Sequence, residues 1–213
     1  ADVAAAADAI VFGSNYNCGQ SCSGTERVIA TEGVYDDLVE AVTERTGALT
    51  VGDPLDPETD VGPPINDDVR ETVREQVDDA VGAGARVTAG GEVGERYCDP
   101  TVVADATPEM AVASEETFGP VTPMLEVADL DEAIAVANDS PYGLMAGVWT
   151  NDLSRAHEFA DRLEYGMVSV NEYPVTFPQT PFGGVKESGK GREQGLDAVR
   201  EYTRAKNVNV NLE

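Results

Sequence analysis

The chain has 213 residues, with 40 acidic side chains against 14 basic ones and a formal net charge of -26. That balance repels phosphate backbones and argues against nucleic-acid binding, while 41% hydrophobic residues in periodic order argue against the disorder that strong acidity usually signals. No apolar run reaches the length of a membrane span, and three cysteines with one histidine do not suffice for a Cys-rich or His-rich metal cluster.

Val3, Ala6, Ala7 and Ile10 keep helical spacing and predict a helix over residues 3 to 12. Arg27 to Ala30 reads as a short strand. Val34, Leu38, Val39 and Val42 mark a second amphipathic helix that ends near Gly47. Val51 to Pro57 is turn chemistry. Val69, Val73, Val77 and Val81 recur every four residues on a third helix, stopped by Gly82 and Gly84. Ala85 to Thr88 predicts a strand, Gly90-Gly91 a turn, and residues 92 to 110 an irregular stretch with a strand at Thr101 to Val103. Pro123 to Val127 is a further strand. Leu130, Ile134 and Ala137 form a helix that Pro141 forbids from continuing. Gly147 to Thr150 predicts a strand, Leu153 to Leu163 a helix and Met167 to Asn171 a strand. Leu196 to Tyr202 predicts a last helix. Asn207 to Leu212 alternates apolar and polar residues, as a half-buried strand does. Strands alternating with helices predict an α/β domain: a mostly parallel sheet flanked by helices.

The acidic excess reads as a solvated coat of the kind halophiles use; only Lys186, Lys190 and Lys206 are lysines. Stability should then rise between low salt and molar KCl. The odd thiol count without a secretory leader predicts a reducing, cytoplasmic setting. Ala1 to Ala9 carries Asp2 and Asp8 and no basic residue, which makes a poor signal peptide. The missing initiator methionine suggests a chain that begins inside a larger protein.

The chemistry concentrates in Asn17-Cys18-Gly19-Gln20-Ser21-Cys22-Ser23-Gly24-Thr25-Glu26-Arg27. Two thiols stand four apart among small residues and glycines, which leave a side chain uncovered and let the backbone turn sharply. Spacing alone leaves open a buried loop with two inert cysteines. Three further stretches follow: Glu115-Glu116-Thr117-Phe118-Gly119-Pro120-Val121, Asn138-Asp139-Ser140-Pro141-Tyr142-Gly143-Leu144, and Pro181-Phe182-Gly183-Gly184-Val185-Lys186-Glu187-Ser188-Gly189 with Gly191-Arg192-Glu193.

In this order the four stretches resemble the NAD(P)-dependent aldehyde dehydrogenases, and the resemblance covers nearly the whole chain. It implies an aldehyde dehydrogenase-like catalytic domain over residues 1–206 and a C-terminal oligomerisation strand over 207–213, with the N-terminal cofactor-binding domain absent. It implies that a small-molecule aldehyde is oxidised to an acid by Cys22 as nucleophile, with NAD or NADP as hydride acceptor. Glu116 would then accept from the nicotinamide ribose and Phe118 would pack near the nicotinamide ring. Ser21, Ser23, Thr176 and Phe182 would face substrate, beside Tyr173 and Phe177. The tail strand would assemble a homo-oligomer. No dinucleotide glycine fingerprint appears, and the family's general-base glutamate lies upstream of the nucleophile, so the chain is expected to be inactive alone. Glu26 reads as salt-bridged or exposed, His157 as a surface side chain, and Cys18 and Cys98 as structural thiols. Two alternatives remain: a relative in which coenzyme A resolves the thioester, and a non-catalytic scaffold.

Overall fold

The computed structural model describes residues 1–173 and 176–213. Helix α1 (Val3–Asn15) opens the chain, its first turn closed by Asp2 accepting the Ala5 N–H at 3.1 Å. A tight turn, Tyr16–Gly19, leads toward β1 (Val28–Thr31) and α2 (Glu32–Gly47). Then follow α3 (Asp67–Gly82), β2 (Arg86–Ala89), β3 (Thr101–Ala104), the four-residue α4 (Ala111–Ser114) and β4 (Val121–Val127). The last third holds α5 (Leu130–Asn138), β5 (Met145–Val148), α6 (Leu153–Arg162), β6 (Met167–Val170) and α7 (Gly195–Glu201). The helix starts are written in the sequence: Asn66, Asp129 and Asp152 each accept a backbone N–H from their own first turn.

The expected α/β class is observed, and every strand pair but one is parallel. The strands form two sheets. One has the order β1-β4-β3-β2, with β1 and β3 both parallel to β4 and β2 antiparallel to β3. The other is the parallel pair β5-β6, in register from Met145 with Met167 to Val148 with Val170. Strands buried on both faces read as continuous apolar runs, and β3 (TVVA) is buried throughout. Ile10, Tyr35, Leu38 and Val42 of α1 and α2 pack with Val102 and Met124 of the sheet. Val73 and Val77 of α3 pack with Val103, Val121 and Leu125.

One strand expectation is corrected. Strand β5 lies two residues earlier than Gly147 to Thr150. Its ladder ends at Val148, because Thr150 and Asn171 pair instead through the Asn171 amide, with both bonds at 2.8 Å. The stretch 92–110 holds its expected strand as β3, and α4 follows beyond it. Residues 207–213 are exposed and pair with no strand of this chain. Between β1 and β5 lies a cleft of about 900 Å³. Val28 to Thr31 and Leu144 to Thr150 line it along their length, with residues of α1 and α2 on one wall and of α5 and α6 on the other.

Candidate active site

At the end of α1 the backbone turns left-handed for three residues running, at Asn17 (φ 54), Cys18 (φ 58) and Gly19 (φ 73). A non-glycine residue there costs on the order of 1 kcal/mol or more, so the surroundings must over-determine it. They do. Asn17 Nδ2 donates to the Gln20 carbonyl at 3.1 Å, and Gln20 Nε2 returns to the Asn17 carbonyl at 2.9 Å. Gln20 Oε1 also accepts the Ile65 N–H at 2.9 Å. Gly19 is required sterically, since a Cβ there would collide with the Gly119 carbonyl.

The next turn closes with the Gly24 N–H donating to the Ser21 carbonyl at 2.8 Å, and it carries Cys22 at its outer bend. Ser21 and Ser23 meet Oγ to Oγ at 3.0 Å, and the Tyr173 hydroxyl donates to the Ser23 carbonyl at 3.0 Å. The ring of Tyr173 stands edge-on to Phe12, with centroids 5.2 Å apart.

The three thiols differ sharply. Cys22 is exposed and lines the cleft. Cys18 is buried, and burial, followed by the nearby Cys98, pushes its thiol up to about 12. Cys98 is also buried, and burial raises its pKa. A nucleophilic thiol must be reachable and ionisable, and among the three only Cys22 is reachable.

Glu116 and Phe118 stand on the same cleft as Cys22 and Ser23. Burial raises the pKa of Glu116, while Glu115 beside it is exposed. A part-buried carboxylate next to an aromatic ring suits a polyol joined to a flat ring, which is the shape of a nicotinamide riboside. The expectation for Glu26 is overturned. It is part-buried, and no ion pair reaches it among the described residues. Its Oε2 accepts the Thr117 N–H at 3.1 Å and its Oε1 the Phe118 N–H at 3.3 Å. Burial lifts its carboxyl to about 7 against the pull of those two donors, and the charge of Glu116 adds to the rise. Arg27 points the other way, to the Val136 and Ala137 carbonyls at the end of α5 (3.3 and 3.1 Å), where a cation complements the helix dipole.

Residues 1–208 match the aldehyde dehydrogenase family. The chain belongs to the aldehyde dehydrogenase family. It is 42% identical over 211 residues to succinate-semialdehyde dehydrogenase [NADP(+)] 1 of Mycobacterium tuberculosis, covering 98% of this chain and 46% of that protein. It superimposes on the NAD-dependent aldehyde dehydrogenase of Sinorhizobium meliloti with a TM-score of 0.95 at 39% identity, covering all of this chain and 43% of the other. The NAD+ complex of the Bacillus cereus aldehyde dehydrogenase also gives a TM-score of 0.95, at 38% identity over all of this chain and 44% of that one. The chain therefore spans about half the length of the curated relatives it matches.

Within this aldehyde dehydrogenase framework the third and fourth sequence stretches meet. Lys186 Nζ donates to the Asn138 and Ser140 carbonyls at 2.6 and 3.1 Å, and the Val185 N–H donates to the Gly143 carbonyl at 3.0 Å. Arg192 holds the Gly184 carbonyl at 2.7 Å, and Glu193 pairs with Phe182 through both backbone groups. Cys22, Ser23, Glu116, Phe118 and Tyr173 share one cleft; Ser21 reaches it through Ser23. Thr176 is exposed and Phe182 part-buried, and neither lines that cleft. His157 is exposed. Phe12, under the Tyr173 ring, carried no signal beyond its place on a predicted helix. Among the described residues no group of three or more His, Cys, Asp or Glu is placed to hold a metal ion, and no helix is long and apolar enough to cross a membrane.

Proposed function

We propose that this chain carries the nucleophile half of a site that oxidises an aldehyde to a carboxylic acid. The observation that supports it is the placement of Cys22, the reachable thiol, on one cleft with Glu116 and Phe118. The Cys22 thiolate adds to the aldehyde carbonyl and forms a thiohemiacetal, with the Cys22 backbone N–H as one donor to the oxyanion. The residues fit a nicotinamide dinucleotide: Glu116 would accept from its ribose hydroxyls and Phe118 would flank its ring. When bound, such a dinucleotide supplies the hydride acceptor that turns the thiohemiacetal into a thioester. Cys22 is then the leaving group when water releases the acid. Ser21, Ser23, Thr176 and Phe182 are proposed to contact substrate. The general base belongs to the half of the family length outside this chain, and so does most of the dinucleotide-binding surface.

Limited iodoacetamide treatment followed by mass spectrometry should label Cys22 first. An activated ester such as 4-nitrophenyl acetate should give a nitrophenolate burst that C22S abolishes. Preferential labelling of Cys98, or a burst that survives C22S, would remove Cys22 from the role. Residues 207–213 are proposed to pair with a neighbouring copy in the assembled protein.

A further inference from the structure

Glu26 falls between the nucleophile and β1, four residues after Cys22, and both its carboxylate oxygens accept from a segment some ninety positions away. We infer that Glu26 is a positioning residue that holds Glu116 and Phe118 in place for the dinucleotide by clamping the backbone between them. This rests on the dehydrogenase reading of the site.

The geometry carries the inference. Each carboxylate oxygen takes one of two successive backbone N–H groups, those of Thr117 and Phe118, which directly follow Glu116. Phe118 adopts φ 47, a left-handed conformation that a bulky aromatic residue keeps only when its neighbours impose it. Three ties impose it. Glu26 holds the two amides. Thr117 Oγ1 donates to Gln76 Oε1 at 2.6 Å, which anchors the segment to α3. Gly19 lies so close to Gly119 that no side chain fits between them. Two of the three ties come from the loop that carries Cys22, so the nucleophile and the dinucleotide contacts are held by one piece of backbone.

The clamp depends on charge. An ionised carboxylate accepts through both oxygens, and charge-assisted bonds to N–H groups are the stronger kind. A proton on Glu26 takes away the charge and compromises one acceptor. The titratable groups near the clamp are Glu115 and Glu116 on its own partner segment, with the Tyr142 phenol and Glu187 on neighbouring loops. Tyr142 is raised first by burial and then by Glu116, Glu187, Glu115 and Glu26. Arg27, the nearest cation in sequence, is committed to the end of α5. Burial first, and then the charge of Glu116, lifts the carboxyl to about 7, and no ion pair among the described residues opposes it.

The test pairs a spectroscopic readout with kinetics. In the unsubstituted protein the Thr117 and Phe118 amide 15N–1H resonances should titrate together with a midpoint near pH 7, and E26Q should leave them flat. With the half that supplies the general base present, in turnover with NAD+ or NADP+ and a simple aldehyde, E26Q should raise the KM for the dinucleotide about tenfold, the usual scale of one lost charge-assisted hydrogen bond. Its kcat should change less than about twofold, since no reacting atom is touched. E26D, which keeps the charge on a shorter arm, should recover part of the loss. Amides that do not titrate, or a dinucleotide KM unmoved by E26Q while they do, would overturn the clamp. Absence of turnover even with that half present would sink the dehydrogenase reading alone, and the amide titration would then decide the clamp.

Discussion

The stretch up to β4 and the stretch after α5 are built on the same β-α-β plan, yet they are finished to different degrees. In the first, β3 and β4 are buried almost throughout, and two apolar clusters pack on opposite faces of the four-stranded sheet. In the second, β6 has no fully buried residue, α7 buries none of its side chains, and Val208, Val210 and Leu212 stand 66%, 72% and 92% exposed. The first region closes its own core. The second supplies surfaces: the signature loop, the turn that Lys186 pins, and a tail with nothing to pair with inside the chain. Cys22 belongs to the first region, where backbone strain is affordable because the packing is complete.

The sharpest way to break this comparison is one methionine in each region. Met124, fully buried in β4, should cost about 2–5 kcal/mol on change to alanine, and Met167, half-buried in β6, about 1 kcal/mol or less. Urea unfolding of M124A and M167A measures both; equal losses would mean the second region is as well packed as the first.

Next in size is a pH effect confined to the first region. The Glu26 carboxyl has an ordinary value of 4.5 and a folded value of about 7. Between those values the folded chain holds a proton that the unfolded chain has released, so stability falls as pH rises through the window and levels off above it. The total is on the order of 3 kcal/mol at most. E26Q should flatten most of the slope in chemical denaturation, leaving a remainder from Glu116, whose pKa is raised in the same direction by burial. A wild-type profile without a slope between pH 4.5 and 7 would refute the burial cost. The same carboxylate thus weakens the fold when ionised and clamps the dinucleotide segment when ionised, so stability is given up for position.

The smallest expected change in stability comes from the tail. Deleting residues 207–213 should move the unfolding midpoint by less than about 0.5 kcal/mol, because those side chains touch little within the chain. Light scattering on the assembled protein should nonetheless show smaller species after the deletion. An unchanged size would leave the alternation of the tail without an account.

Much of this was legible in the sequence, because helix caps and apolar periods are local. The four-residue valine repeat of α3 shows where a local pattern overreaches. Steps of four residues advance 400°, so the repeat drifts about 40° per step around the helix. Val73 and Val77 are buried, Val69 is part-buried and Val81 is 48% exposed. The end of β5 was misplaced because a side-chain amide, that of Asn171, takes over from the ladder. At the site, the reachable thiol and its small neighbours are adjacent in sequence and could be read directly. Glu26 could not. Its partners are amides ninety residues on, and no residue type at Thr117 or Phe118 announces that their N–H groups need an acceptor. The left-handed turn was half visible: Gly19 suggests it and Asn17 permits it, but nothing about Cys18 does.

The cleft between β1 and β5 has a consequence for how copies of this chain behave toward each other. Pairing leaves one long edge of β1 and one of β5 open along that cleft, with their N–H and C=O groups aimed at whatever extended backbone enters. Such an edge is a template for strand addition, and it does not discriminate finely among sequences. Long-range repulsion between highly acidic surfaces holds two copies apart, and its reach shrinks to about 3 Å in molar salt. Salt that relieves crowding of charge within one molecule therefore also brings open edges of two molecules into range. In molar salt its solubility comes to depend on those edges being covered.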